Sequence, residues 1–437
     1  MNRRTPVERH PETTVDVVMP GGVDNLAAPS GGNVYDRRIC RDLPAAGWRV
    51  RAHTVAGDWP HPGAAARAEL ARVLADSEDG AVVLLDGLIA CAVPDLVAPE
   101  AGRLRLAVLV HLPLGDETGL APDLAATLDA RERQTLHAVS ATVATSQWAA
   151  RRLVDHHGLD PARVHVAAPG ADTAPPATGT GPGGPRLLCV ASVTPRKGQY
   201  RLVESLAAVA DQPWSCELTG GLDQDPGYVS RLRELITEHG LDDRVRLTGP
   251  LSGAALDAAY TAADLLVLAS YAETYGMAVT EALARGVPVV ATAVGGLPEA
   301  LGHAPDGELP GVLVPPDDPA ALTAALRGWL TEPGVRDRTK AAALRRRTAL
   351  TGWATTSREL ATALDGIRQE PHPATARSVR QVSAPPQPVP PQSVPSQPLP
   401  PQPVPPQPVP PQSVPSQPAP PQPHPHQPVR TTPRRTA

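Results

Sequence analysis

Residues 264–299 read DLLVLASYAETYGMAVTEALARGVPVVATAVGGLPE, and the fold class follows from this stretch. Two apolar runs, at 264–270 and 287–293, flank a segment with helical character. Continuous Val/Leu runs separated by helices are typical of a parallel sheet that is covered on both faces, because each strand is then buried on both sides. The stretch therefore predicts a β-α-β unit.

The same alternation extends in both directions along the chain. Helical segments at 35–46, 254–262 and 280–285 separate apolar runs that end in small or polar residues. We expect an α/β protein with two successive doubly wound domains, in which ligands bind at the carboxyl ends of the strands. The other strand candidates are 15–20, 81–87, 104–113, 141–146, 163–170, 186–192, 215–221, 244–249 and 311–316.

Composition excludes several classes of function. The 437 residues carry a net charge of −5, and the acidic body argues against nucleic acid as the main partner, since phosphate binding needs a basic surface. The chain has no run of about 18 apolar residues, so no transmembrane segment is predicted. The first residues, MNRRTPVERHPETT, lack the apolar core of a secretory signal, so we expect a cytoplasmic protein. The four cysteines are expected to be reduced thiols.

The C-terminal segment differs from the rest of the chain. From Pro371 onward, 67 residues hold 25 of the 54 prolines, five arginines and no acidic residue, which leaves about −10 on residues 1–370. The sequence PPQPVPPQSVPSQP begins at Pro385 and recurs at Pro405. Proline at this density prevents helix and sheet, so we expect a disordered tail rich in polyproline II. Such a tail is either a ligand for a partner domain or a tolerated low-complexity extension.

The loop and helix within 271–299 carry the chemistry. Glu273 follows a buried strand, Gly276 begins a helix, and Glu281 lies inside that helix. Backbone amides near Gly276 and Met277 suit a phosphate, because the start of a helix has unpaired N–H groups and a positive dipole end. Carboxylates suit paired sugar hydroxyls. No GxGxxG follows the first strand and no GxxxxGK[ST] occurs, which disfavours dinucleotide and P-loop enzymes. The pattern indicates a nucleotide-sugar site.

This segment resembles the Glu-x7-Glu signature of the retaining GT-B-fold glycosyltransferases of family 4. The resemblance includes ALARGVPVVAT (282–292) and GGLPE (295–299), and extends over residues 15–367. It implies transfer of a sugar from a nucleoside-diphosphate sugar with retention at the anomeric carbon. It further implies that Glu273 binds hydroxyls of the donor sugar and that Glu281 binds the ribose.

The loop after the first strand of the second domain, VASVTPRKGQ (190–199), carries two adjacent cations. Cations at this place would offset the charge of a departing diphosphate. The family has an Arg just after this strand and a Lys several residues on. Lys197 matches that Lys, whereas Ser192 occupies the usual Arg position and Arg196 is a candidate to compensate.

Other site residues are predicted from the loops after further strands. His111 follows an apolar run, where an imidazole facing a cleft can hydrogen-bond a sugar hydroxyl or share a proton. The family has a His here that contacts the donor sugar. By the same resemblance, a Gly-rich first loop lies under the diphosphate, and the loop at Gly220 seats the base. The remaining predicted donor-binding residues are Gly31, Gly32, Gly220, Tyr275, Gly276 and Met277.

The resemblance also implies a domain organisation that matches the breaks in the pattern. The Gly/Pro/Thr-rich segment 171–185 is expected to be a linker, and Trp353 begins a helix that crosses back to the first domain. The predicted segments are a disordered N-terminus (1–14), an acceptor domain (15–170), the linker (171–185), a nucleotide-sugar domain (186–349), the crossing helix (350–367) and the Pro-rich tail (368–437).

We therefore predict a bacterial, metal-independent, retaining hexosyltransferase without a cofactor. The donor would be a UDP- or GDP-sugar. The acceptor is left open among a sugar, a lipid-linked sugar, a polyol and a small natural product, and peripheral membrane contact is also left open. Two alternatives remain at this point. One is a nucleotide-sugar epimerase of the same fold, and the other is an inactive scaffold recruited through its tail.

Overall fold

The computed structural model describes residues 13–25, 30–117, 119–179 and 184–369. Within these residues two six-stranded sheets form, and every strand pair in them is parallel. The predicted pair of doubly wound sheets is thereby confirmed. The predicted Pro-rich tail and most of the predicted N-terminal segment lie outside the described residues.

The first sheet has the strand order β2-β1-β3-β4-β5-β6. Strand β2 was not predicted from the sequence: its segment WRVRAHTV carries arginines, and its side chains are mostly exposed or half-buried. An edge strand has only one neighbour and can remain polar, so it lacks the apolar run of a central strand. The strands are β1 Thr13–Pro20, β2 Trp48–Val55, β3 Val82–Asp86, β4 Arg105–Val110, β5 Ala141–Ala144 and β6 Val164–Val166.

Helices flank both faces of the first sheet. The first of them begins at Gly31 and not near Tyr35, because Ser30 caps it by accepting a hydrogen bond from the Asn33 amide at 3.0 Å. The helices are α1 Gly31–Asp42, α2 Ala64–Asp76, α3 Gly87–Ala90, α4 Pro94–Val97, α5 Pro122–Ala138 and α6 Gln147–His157, with 3₁₀ turns at Leu43–Ala46, Ala98–Gly102, Leu114–Asp116 and Pro161–Arg163.

The second sheet has the order β12-β11-β10-β7-β8-β9. Its strands are β7 Arg186–Val190, β8 Ser215–Thr219, β9 Val245–Gly249, β10 Leu265–Leu268, β11 Val289–Thr292 and β12 Gly311–Val314. Its helices are α7 Gln199–Ala207, α8 Pro226–Glu238, α9 Gly253–Ala262, α10 Met277–Ala284, α11 Leu297–Leu301, α12 Pro319–Thr331 and α13 Pro333–Arg346, and 3₁₀ turns cover Pro195–Lys197 and Arg347–Ala349.

The cores are built mainly from Val, Leu and Ala, in keeping with a sequence that has no Phe. The last described helix, α14 (Trp353–Gln369), packs on the first sheet although it follows the second in sequence. Trp353, Leu360 and Leu364 of α14 are buried in that core. Truncating such a buried leucine to Ala costs about 2–5 kcal/mol. Among the described residues, no helix has the length and apolarity needed to cross a bilayer.

The strand orders show where, in each sheet, the chain stops adding strands on one side and begins to add them on the other. In the first sheet this point lies between β1 and β3, and in the second it lies between β7 and β10. The loops that leave the two strands on either side of such a point diverge to opposite faces and open a crevice, which is where doubly wound folds bind ligands.

Candidate active site

Lys197 and Glu273 meet at the crevice of the second sheet. Lys197 follows β7 and Glu273 follows β10, and these strands are neighbours. The Lys197 Nζ lies 2.6 Å from Glu273 Oε1, which also accepts a hydrogen bond from the Ser270 hydroxyl at 3.1 Å. The two charged side chains are only 14% and 10% exposed. The sequence-predicted residues are thus paired with each other in a nearly buried contact.

Helix α10 begins beside this pair. Gly276 is the N-cap residue with φ +101°, and a Cβ there would lie 2.4 Å from a methyl carbon of Leu297. Within the described part of the chain, no side chain caps this helix. The first amides of α10, beginning at Met277, can therefore serve an anionic ligand. The preceding side chain, Tyr275, is buried with the core of the second sheet.

Glu281 lies four residues after Met277, and its Oε2 accepts a hydrogen bond from the Tyr260 hydroxyl at 2.7 Å. Burial raises the pKa of Glu281. Arg285 lies next to both residues, with its guanidinium 4.9 Å from the Tyr260 ring centroid and a hydrogen bond to the Glu281 carbonyl. Tyr260 was not predicted as a site residue, because it lies on α9 and belongs to no sequence motif.

His111 follows β4 and contacts two buried carboxylates. Its Nε2 lies 2.8 Å from Asp36 Oδ1 on α1 and 3.8 Å from Asp86 Oδ2 at the end of β3. Asp36 and Asp86 are 1% and 7% exposed. Sequence reasoning missed both, although a charged residue that ends a buried strand such as β3 is a signal that would have found Asp86.

Their surroundings raise the pKa values of both His111 and Asp86. Burial opposes the charged form of His111, but the charge and hydrogen bond of Asp36 outweigh it and raise the pKa of His111 to about 9. Burial and the charge of Asp36 raise the pKa of Asp86 to about 7. Both pKa values are higher in the folded protein than in the unfolded chain, so protonation of these groups stabilises the fold. That stabilisation is lost as the pH rises from about 4 to 7 for Asp86 and from about 6.5 to 9 for His111.

Gly31 and Gly32 form the first turn of α1, which corrects their assignment to a loop. A Cβ on Gly32 would lie 3.2 Å from the His111 ring, and one on Gly31 would lie 3.5 Å from the sulfur of Met277. The absence of side chains therefore lets α1 approach both His111 and the start of α10. Ser30 makes this possible by capping the helix ahead of them.

Gly220 lies at the end of β8, where a Cβ would come within 1.9 Å of the Ala191 carbonyl oxygen. Its amide donates to the Gly249 carbonyl at 3.0 Å. Backbone packing between these loops accounts for glycine at this position. Whether the loop also seats a base stays a prediction.

Arg196 is placed differently from Lys197. Its Nε lies 2.9 Å from Glu117 Oε1, and its Nη1 donates to the Ala272 carbonyl at 3.3 Å. Glu117 belongs to the first sheet's side of the molecule, so Arg196 links the two sides. Its role toward a diphosphate stays a prediction.

The loop that carries Glu273 also contacts the part of the molecule built on the first sheet. The Thr274 hydroxyl donates to the His111 carbonyl, and the Ser146 hydroxyl donates to the Thr274 carbonyl, each at 2.6 Å. Glu299 accepts hydrogen bonds from the amides of Gln147 and Trp148 at 2.9–3.3 Å, and so caps α6 across the crevice. Helix capping was one of two roles that the sequence left open for Glu299, but the partners in all of these contacts were not predicted, because each contact joins residues far apart in sequence.

Among the residues that the structure describes, two groups of side chains have the atoms to hold a metal ion. Asp36, Asp86 and His111 place one ligand atom each within 4.8 Å of one another. The second group, Asp129, His156 and His157, lies on α5 and α6.

Comparison with known proteins identifies two family models. Residues 29–175 match the model described as Glycosyltransferase Family 4, and residues 172–346 match the one described as Glycosyl transferases group 1. Together the two models span most of the described chain.

Among curated relatives, the chain is similar to the D-inositol 3-phosphate glycosyltransferases of Kineococcus radiotolerans and Thermomonospora curvata. It is 34% and 35% identical to them over 52% and 57% of its own length. The matches cover 57% and 62% of these relatives' lengths.

Two solved structures resemble the fold. The sucrose-phosphate synthase of Thermosynechococcus elongatus matches 85% of this chain and 99% of its own, with 21% identity and a TM-score of 0.65. Anabaena HepE, solved with UDP and glucose, matches 81% of this chain and 100% of its own, with 18% identity and a TM-score of 0.63.

Proposed function

Because the chain belongs to glycosyltransferase family 4 and has the GT-B fold, we propose that it transfers a hexosyl group from a nucleoside-diphosphate sugar to an acceptor hydroxyl, with retention at the anomeric carbon. The observation that carries this proposal is the Lys197–Glu273 pair at 2.6 Å, next to the start of α10 and at the crevice of the second sheet. The cation and the helix amides can bind a diphosphate, and the carboxylate beside them can bind the hydroxyls of the attached sugar.

The bond between the anomeric carbon and the diphosphate oxygen breaks as the acceptor oxygen bonds to that carbon, and the leaving diphosphate gains charge and takes the proton of the acceptor hydroxyl. Lys197 and the first amides of α10 stabilise that charge, since preorganised donors act strongly in a site shielded from water. Glu273 accepts hydrogen bonds from sugar hydroxyls. This arrangement supports transfer without a metal ion or cofactor, which we include in the proposal.

Residues of both sides complete the site. Glu281 binds the ribose hydroxyls, with its carboxylate oriented by Tyr260. His111, held as an imidazolium by Asp36, donates a hydrogen bond to a donor-sugar hydroxyl. The Thr274 hydroxyl bonds the backbone of the His111 loop to the Glu273 loop, so His111 and Glu273 face the same crevice.

We propose UDP-hexose as the donor class and a cyclic polyol, phosphorylated or free, as the acceptor class. UDP and glucose appear in the description of Anabaena HepE, and the curated relatives carry D-inositol 3-phosphate in their names. GDP-sugars are the second donor class to test.

The first experiment is a thermal-shift screen of the full chain against UDP, GDP, ADP and NAD. A ligand at 100 times its Kd stabilises by about 2.7 kcal/mol, which is readily measured. We expect a shift with UDP or GDP that is lost in Glu281→Ala and kept in the control Glu238→Ala, which changes an exposed residue at the end of α8. If no nucleoside diphosphate changes the melting temperature, the proposed site is wrong.

The second experiment follows the chemistry. The chain is incubated with UDP-glucose and D-inositol 3-phosphate or inositol, with and without EDTA, and the anomeric configuration of the product is read by NMR. Transfer with an α-linked product in both conditions supports the proposal. Sugar conversion without an acceptor would indicate an epimerase. UDP binding with no turnover on either acceptor would indicate a scaffold, and inhibition by EDTA with an unchanged melting temperature would overturn metal-independent catalysis.

A further inference from the structure

A second cluster of metal-ligand side chains lies between α5 and α6, outside the crevice. Asp129 on α5, and His156 and His157 at the end of α6, place one ligand atom each within 4.8 Å of one another. We propose that this cluster binds a divalent transition metal, with Zn²⁺ as the ion that its nitrogen and oxygen donors suit best.

His157 provides the observation that points to a ligand. Its side chain is 1% exposed, and its Nε2 lies 3.0 Å from Oε2 of Glu132, which is equally buried. Its Nδ1 is buried and has no hydrogen-bond partner among the described residues. When Nε2–H donates to the carboxylate, Nδ1 is left with an unprotonated lone pair. A metal ion bound to Nδ1 would account for this buried acceptor. Histidines that bind a metal through one ring nitrogen usually donate a hydrogen bond from the other nitrogen to a carboxylate, as His157 does to Glu132.

The charges around the cluster balance a divalent ion. The carboxylate of Asp129 and the imidazole of His156 are in contact, and both side chains are about one-third exposed, which leaves a route for the ion. Two carboxylates, Asp129 and Glu132, with two neutral imidazoles neutralise a 2+ charge. The nearby Arg133 donates to the carbonyls of His156 and His157, and not to the carboxylates.

The same carboxylate connects this cluster to the active-site loop. Glu132 Oε1 accepts a hydrogen bond from the Leu114 amide at 3.2 Å, and Leu114 begins the turn three residues after His111. A bound ion would fix His157 on Glu132 and thereby hold α5, α6 and this turn together. We therefore assign the metal a structural role on the acceptor side.

The test measures zinc binding by the full chain, after dialysis against a chelator, by equilibrium dialysis and by the change in melting temperature on adding ZnCl₂. His156→Ala and Asp129→Asn change partly exposed residues and should fold. His239→Ala, an exposed histidine at the end of α8, is the matched control. Every variant keeps the histidines of the C-terminal segment, so their contribution cancels.

We expect the wild type and His239→Ala to bind one more tight zinc equivalent than His156→Ala or Asp129→Asn, and to show a zinc-dependent rise in melting temperature that those variants lack. Glu132→Gln should weaken binding about 10- to 100-fold. Visible ligand-field bands on Co²⁺ substitution should appear only in the binding forms. Equal zinc stoichiometry and affinity in the wild type, His156→Ala and Asp129→Asn would overturn the proposal.

Discussion

Replacing Lys197 by Met tests whether the nearly buried ion pair exists and what it contributes. The substitution keeps the length of the side chain and removes its charge. It leaves the Glu273 side chain, which is 10% exposed, with the Ser270 hydroxyl as its remaining donor among the described residues. The prediction concerns the free energy of unfolding, and it is independent of any substrate.

The magnitude follows from burial and distance. Two unit charges about 4 Å apart interact by about 4 kcal/mol at an effective dielectric constant of about 20, and removing one partner of a buried pair costs about 3–5 kcal/mol. The Ser270 hydrogen bond offsets part of this cost, so we expect a loss of about 3 kcal/mol. For the roughly 175 residues of the second sheet's side, this corresponds to about 6–12 °C in melting temperature.

The assay is urea and thermal unfolding of Lys197→Met, Glu273→Gln and the double variant. Because Glu273→Gln removes the charge that Lys197→Met leaves unpaired, the double variant should be more stable than the sum of the single losses predicts, by about 2 kcal/mol. Lys340, on α13, is the other lysine of the sequence, and Lys340→Met is the matched control with an expected change below about 0.5 kcal/mol. Additive losses in the double variant would refute the ion-pair reasoning.

Three further substitutions test other parts of the site. Gly295→Ala should lose more stability in urea than its control Gly307→Ala. Both glycines have positive φ, where a side chain costs about 1–3 kcal/mol, but of the two only Gly295 would place a Cβ 1.7 Å from a carbonyl oxygen. Equal losses of stability in the two variants would contradict this close approach. Asp36→Asn should lower the pKa of His111 from about 9, so the protein should lose less stability between pH 6.5 and 9 than the wild type does. An unchanged pKa of His111, measured by NMR titration, would contradict the pairing. Glu299→Gln should weaken the cap on α6 by about 0.5–1 kcal/mol and speed hydrogen exchange of the first amides of that helix; unchanged exchange there would show that the carboxylate does not bind them.

Much of the fold could be predicted from local sequence. Central strands such as β10 and β11 are continuous apolar runs, because they are buried on both faces. The edge strand β2 escaped prediction because it is paired on one side only and carries polar side chains. The start of α1 was misplaced because a cap depends on the hydrogen bond of one side chain, Ser30, which the apolar pattern does not report.

Local sequence alone was enough to predict the two doubly wound sheets and the presence of Glu273 and Lys197 after strands, and a resemblance of short motifs indicated the family. These features follow from periodicity and short-range motifs. That Lys197 pairs with Glu273, 76 residues away, became visible only in three dimensions, since β7 and β10 are made neighbours by the strand order. The same strand order and the packing of α1 bring Asp36 to His111 across 75 residues. Charge states at the site depend on such long-range contacts and on burial, and neither is encoded in a local pattern.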